Sequence, residues 1–326
     1  MHIVWLILKW LLILVVILLI VGMIYEQYMR YVVKRNFVDN GTYVEVDGQK
    51  MHYLKKGEGK VTVVFESGLD FAGHLSWGNV QDEISKFATT ISYDRAGILR
   101  SQKASNPRTC ENIAEELHAL VQKVEDNKPF ILVVHSLGGL IVRCYAKKHA
   151  DTLRGVVFVD ASHPEQFDKM PKSIKNKMKI PSDWVISFFS ITGISRFATN
   201  KMIDKLYKNR NTISHVKSLV NTYLLKSNKA ALEEMKMFEQ MSSASKGASF
   251  LDIPLTVLTA KQKFKNEDEK NFFELFNKLQ NKSLNLSTNS KQIFVDSGHY
   301  IQLEKPEVVI EAVREMIEEN KNDIKK

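Results

Sequence analysis

"LVVHSLGGLIVRCYAKKHA", residues Leu132 to Ala150, joins a continuous apolar run to a helical pattern through a serine at a glycine-rich corner. The run "FILVV" before the corner reads as a short buried strand, and Gly139 to Ala150 reads as a helix. A strand that turns at once into a helix lifts the Ser136 hydroxyl clear of a sheet and faces the next backbone N–H, that of Leu137, outward. The pattern G-x-S-x-G is met except at its first position, where Val134 stands. Val134 is expected to crowd strand against helix and widen the corner slightly; it removes no reacting group.

The chain around this corner repeats the same alternation. "TYVEVDGQKMHYLKKG" alternates apolar and polar residues about Asp47-Gly48, a hairpin signature. "VTVVFE", "TTISYD", "FILVVH" and "GVVFVD" are buried-strand runs, and helical patterns lie between them, one of them capped by Thr109. Such alternation predicts βαβ units and a mostly parallel sheet with its strand ends along one edge. It breaks at Ala161. For about 90 residues the pattern is helical and lysine-rich, then "IPLTVLTA", a helix near Asn271 to Leu279, "KQIFVDSGHY" and a helix from Pro306 resume it. The expected organisation is therefore a juxtamembrane segment and anchor over 1–35, a core over 36–160 and 251–326, and a helical cap over 161–250. The charged tail "EENKNDIKK" is expected to fray.

The anchor is read from "IVWLILKWLLILVVILLIVGMIY", Ile3 to Tyr25, which carries only Lys9. At ~1.5 Å per residue it spans roughly 34 Å, enough to cross a bilayer core. A cleaved secretory signal is the competing reading. The apolar stretch is long for one, its leading segment is poor in cations, and no small-x-small cleavage site follows. Trp5, Trp10, Tyr25, Tyr28 and Tyr31 flank the apolar centre as interfacial aromatics do, and Arg30, Lys34 and Arg35 after it lean toward a cytoplasmic body without fixing the side.

The net charge of +9 is uneven: Asp168 to Lys217 holds eleven Lys/Arg against three Asp. Anionic lipid, an anionic substrate or a merely solvated face would each account for it. No nucleic-acid reading motif accompanies it. The two cysteines, Cys110 and Cys144, show neither metal-ligand spacing nor a disulfide framework, so each is expected to be a buried apolar residue.

A serine hydroxyl needs a base. Among nine histidines, His299 follows the last strand in "FVDSGHY", at the same edge as Ser136. His118 and His149 fall in helical patterns, His52 in the hairpin and His215 in the cap; His135 adjoins Ser136 but is expected to point to the other side of the turn. An orienting carboxylate is sought at strand ends. After "LTVLTA" the chain reads Lys261-Gln262-Lys263, with Glu267 and Asp268 only later, whereas Asp160 follows "GVVFV" immediately. Asp160 is the first choice, Asp268 or Glu267 the alternatives and Asp296 an outsider. An N-cap role for Asp160 stays open. Oxyanion donors are expected at the N–H groups of Leu137 and Leu69, the latter in Ser67-Gly68-Leu69, where an ordinary glycine turn is an equal reading.

The chain resembles the α/β-hydrolase superfamily, and within it bacterial membrane-anchored serine hydrolases of esterase/lipase type. "VVFESGLD", "YDRAG", "LVVHSLGGL", "VVFVDASHPEQ", "LSTNS" and "DSGHYIQLEKPEVV" carry the resemblance from Gly41 to the last helix. It implies an eight-stranded, mostly parallel sheet, a helical lid between strands six and seven, and a Ser-acid-His triad at Ser136, Asp160 and His299. Ser136 stands where epoxide hydrolases and haloalkane dehalogenases of this fold have Asp, which disfavours those activities. The expected activity is hydrolysis of a small-molecule ester or lipid-like substrate through an acyl-serine, with no metal or organic cofactor implied. Acyl transfer, or a catalytically silent membrane-tethered binding protein, are the alternatives.

Overall fold

The computed structural model describes the chain from Met1 to Asp323 except residues 37–40, 126–127, 178–180, 208–209 and 262–266. Gln262, Lys263, Lys179, Lys208 and the last three residues of the charged tail therefore lie outside the described residues. Helix α1 (His2–Asn36) contains the whole apolar run and is long and apolar enough to cross a membrane. Strands β1 (Thr42–Val46) and β2 (Gln49–Lys56) form the expected hairpin, and both of its turn residues, Asp47 and Gly48, take the positive φ that a tight two-residue hairpin turn requires. Then follow β3 (Thr62–Glu66), a 3-10 turn (Gly73–Trp77), α2 (Gly78–Ile84), β4 (Thr89–Tyr93) and α3 (Cys110–Val124). Thr109 caps α3 by accepting the Asn112 N–H at 3.2 Å. β5 (Phe130–His135), α4 (Gly138–His149) and β6 (Leu153–Val159) complete the first half.

Between β6 and the next strand lie α5 (Gln166–Lys169), α6 (Lys172–Lys177), α7 (Asp183–Ile191), α8 (Ile194–Leu206), α9 (Arg210–Lys236) and α10 (Phe238–Ala244). The sheet resumes with β7 (Leu255–Ala260), α11 (Glu267–Lys282), β8 (Ser290–Val295), α12 (Ile301–Glu304) and α13 (Pro306–Asp323).

The eight strands form one sheet in the order β1-β2-β4-β3-β5-β6-β7-β8, antiparallel at β1/β2 and β2/β4 and parallel elsewhere. The unbroken apolar character of β5 follows from cover on both faces. Leu132 and Val134 join the core under α3 and α4, while Ile131 and Val133 join the core under α2 and α13. A third cluster links Ile98, Leu99 and Leu303 to Ile203, Val216, Leu219 and Val220 of α8 and α9, so the inserted helices sit on the sheet edge through apolar contact. The strand order reverses between β3 and β5, the kind of switch point where open α/β sheets place their ligand crevices.

One expectation fails here. Cys110 and Cys144 are buried, as predicted, but they are bonded to each other as a disulfide, not independent apolar residues. Their 34-position separation carries no spacing signature. The pairing arises because α3 and α4 pack side by side on the same face of the sheet.

Candidate active site

Ser136 follows β5 directly, and its φ of 48° puts a non-glycine residue in the left-handed region. Such strain persists only where the surroundings hold it. Here the Ser136 carbonyl accepts N–H groups from Gly139 at 2.9 Å and Ser162 at 2.8 Å. The crowding expected from Val134 is relieved on the helix side: a Cβ at Gly138 would lie 3.1 Å from the Val134 Cβ, and one at Gly139 would lie 2.8 Å from the Ala161 Cβ. Small residues after the serine thus make the room that a glycine before it would otherwise make.

His299, on the loop between β8 and α12, holds Nε2 3.0 Å from Ser136 Oγ, and its Nδ1 lies 2.6 Å from Asp160 Oδ2. The hydrogen-bond pattern assigns the proton on Nδ1 to the carboxylate side, leaving Nε2 to accept from the serine hydroxyl. Asp160 is fully buried at the tip of β6. Its Oδ1 accepts the Ala260 N–H of β7 at 3.0 Å and the Gln280 amide of α11 at 2.7 Å. The carboxylate beside His299 thus comes from the end of β6, and a β7 backbone N–H steadies it. Glu267 and Asp268, the alternatives, are exposed at the start of α11, and Asp296 is exposed after β8.

The loop after β3 closes over the serine. A Cβ on Gly68 would fall 2.9 Å from the Ser136 Cβ and 2.7 Å from His135 Nδ1, so only glycine permits this approach. Leu69 is the next residue, and Leu137 is the buried N-cap of α4. Beneath the loop, Arg95 donates to the carbonyls of Ser67 at 2.7 Å and Gly68 at 2.6 Å. It also pairs with Glu66 at 2.5 Å and with Glu234 of α9 at 2.7 Å. All three charged groups are buried, and Tyr93 donates to Glu66 from the other side. Burial pushes the Glu66 carboxyl up, and the Arg95 charge works against that.

Several of these partners lay beyond sequence reasoning. His135 does not simply point away: its Nε2 lies 3.0 Å from the His299 carbonyl, and the two rings are 4.7 Å apart. Gln280 and Glu234, both in helices, carry no strand-end signal, whereas Arg95 lies two residues past β4 in "YDRAG". His52, His74 and Asp94 gather with their ligand-type atoms within 4.8 Å of one another. Asp94 there accepts from His52 Nδ1 at 2.9 Å, His74 Nδ1 at 2.7 Å and the His74 N–H at 3.0 Å, so hydrogen bonds account for the cluster. A cavity of about 60 Å³ next to the loop is lined by Leu69, Phe71, Met202, Leu206, Val220 and Tyr300 among others. Burial, then the nearby Asp70, pushes the Tyr300 phenol up to about 12, so it stays protonated there.

A serine, a carboxylate and a histidine just beyond strand ends at one edge of a doubly wound sheet fit an α/β-hydrolase architecture. The model of a family described as the alpha/beta hydrolase fold matches residues 61–318, and the chain belongs to that family. It is 28% identical over 141 residues to the uncharacterized protein YbdG of Bacillus subtilis, covering 43% of each chain. It is 25% identical over 123 residues to a haloalkane dehalogenase of Sphingobium indicum, covering 36% of this chain and 41% of that one. The chain thus spans less than half the length of these curated relatives. Among solved structures it resembles a thermophilic esterase from Thermogutta terrifontis, with a TM-score of 0.62 at 19% identity over 86% of this chain and 99% of that one. It also resembles the Cif epoxide hydrolase of Acinetobacter nosocomialis, with a TM-score of 0.67 at 17% identity over 90% and 96%.

Proposed function

We propose that the chain is a membrane-anchored serine hydrolase that cleaves a carboxylic ester, small or lipid-like, through an acyl-serine intermediate. The observation that carries the reading is the unbroken hydrogen-bond chain from Ser136 Oγ through His299 to Asp160. Ser136 Oγ attacks the acyl carbon as His299 Nε2 takes its proton, and Asp160 holds the imidazole in the required tautomer and stabilises the imidazolium. The Leu69 and Leu137 N–H groups stabilise the oxyanion, a term worth about 3 kcal/mol or more per donor. Collapse of the tetrahedral adduct expels the alcohol, which takes the proton back from His299. Water, deprotonated by the same nitrogen, then releases the acid and restores the serine.

Ser136 supports this against the activity of the dehalogenase relatives, because a serine hydroxyl brings no carbonyl of its own and gives a hydrolysable ester only when the substrate supplies the acyl group. α1, through residues 3–25, is read as the anchor, and residues 161–250 as a cap over the substrate. A panel of p-nitrophenyl esters of increasing chain length, with wild type beside Ser136→Ala, tests the reading. Turnover by wild type and loss in the variant support it; equal background rates overturn it.

A further inference from the structure

We infer that the α7–α8 hairpin of the cap is a membrane-seated surface whose partner is the lipid bilayer beside α1. The inference rests on reading α1 as the anchor. The partly or fully covered positions in the second half of α1 include Leu19, Gly22, Glu26, Met29 and Val33, a helical stripe that faces the cap. Gly22 packs so closely that a Cβ there would lie 2.4 Å from the Thr192 carbonyl oxygen, in the turn between α7 and α8. From Ile3 to Gly22 the helix rises about 29 Å, which matches a hydrocarbon core of ~30 Å. The turn therefore lies at the boundary of the hydrocarbon, held there by α1.

A buried ion cluster fixes that docking. Glu26 is only 2% exposed, with Arg30 Nε at 2.9 Å on one oxygen and Arg196 Nε of α8 at 2.7 Å on the other. Arg30 also donates to the Ser190 carbonyl at the end of α7 at 2.9 Å. A carboxylate this buried is costly unless it is paired, and half of this pairing comes from the cap. The hairpin so held turns Trp184, Phe188, Phe189, Ile194 and Phe197 outward, with Trp184 at 71% and Phe197 at 80% exposure. Five large apolar side chains on two short helices are what an interfacial segment presents, with aromatics at headgroup depth. The lysine-rich cap sequence around them, eleven Lys/Arg between Asp168 and Lys217, complements anionic lipid.

The test uses the full chain in bilayers of mixed zwitterionic and anionic phospholipid. Nitroxide labels go on Trp184→Cys and Phe197→Cys, on Leu14→Cys in α1 and on Phe294→Cys in β8, each variant first shown to melt as wild type does. Labels at 184 and 197 are expected to lose collisional broadening by a water-soluble nickel chelate and to keep broadening by oxygen, as the label at 14 does, while the label at 294 stays open to nickel. Nickel broadening at 184 and 197 equal to that at 294, with 14 protected, overturns the hairpin inference and leaves the anchor standing. Spin-spin broadening at 184 and 197 overturns it too, because it places a second copy on the hairpin. Nickel access at 14 as well overturns the anchor reading and the inference with it.

Discussion

His299 Nδ1 meets Asp160 Oδ2 at 2.6 Å although 139 positions separate them, and the contact forms at the tip of β6, one strand earlier than the resuming sheet pattern directs the eye. Asp160→Asn keeps the shape but loses the charge and the tautomer control. Steady-state kinetics is expected to show kcat lower by about 10³ to 10⁴. Glu267→Gln and Asp268→Asn, at exposed positions, leave kcat essentially unchanged. The reverse pattern would move the acid to α11.

Arg95 ties the loop over Ser136 to helix α9 through two backbone carbonyls and two buried carboxylates. Arg95→Met leaves the buried Glu66 with only the Tyr93 hydroxyl and the buried Glu234 with only Arg108 at 3.6 Å, a loss of about 3 kcal/mol in urea denaturation. Arg95→Lys keeps the charge but not the planar fork, so it restores only part of that stability. A variant with wild-type stability would show that the network contributes little.

The Cys110–Cys144 bridge closes a loop of 34 positions. Loop-closure entropy puts its contribution at about 3 to 4 kcal/mol, read as the fall in unfolding free energy of the Cys110→Ser, Cys144→Ser double variant. Disulfides persist in oxidising compartments, so the bridge argues for a body outside the cytoplasm, against the lean of Arg30, Lys34 and Arg35. An alkaline phosphatase fusion at the C-terminus is expected to be active. An inactive fusion, with thiols alkylated without reductant, would contradict both points.

Burial, then the neighbouring His299, holds the His135 imidazole well below its usual range. The unfolded chain protonates this group near pH 6.5 while the fold keeps it neutral. Below that pH the unfolded state binds more protons, so this group's contribution to stability falls on acidification and recovers as pH rises toward 6.5. His163, lowered to about 4 by burial and then by Arg143, acts in the same direction. Glu66 and Asp70, raised by burial, act oppositely above their unfolded range. Comparison with His135→Asn isolates the His135 contribution: the variant should lose less stability than wild type between pH 7 and pH 5. An identical loss would contradict the assignment.

What was legible in the sequence was whatever strand ends and periodicity reveal. The apolar runs gave the parallel strands because two-sided burial leaves no alternation to confuse them, and chain order placed Ser136, Asp160 and His299 at strand tips. Contacts made by packing left no local signature. The Cys110–Cys144 pairing depends on α3 lying against α4. Gln280 reaches Asp160 from the last turn of α11, and Glu234 meets Arg95 only because α9 folds back over the sheet. His135 sits in the quoted corner itself, yet its contact with the His299 loop follows from the return of the chain 164 positions later.

The central claim is that Ser136 is an activated nucleophile, and a fluorophosphonate probe tests it most directly. Peptide mass spectrometry of the labelled, folded full-length protein is expected to place the adduct on Ser136, with labelling abolished in Ser136→Ala and strongly slowed in His299→Ala. Folded wild-type protein that takes up no probe, or takes it up on another residue at the same rate in both variants, would contradict the account.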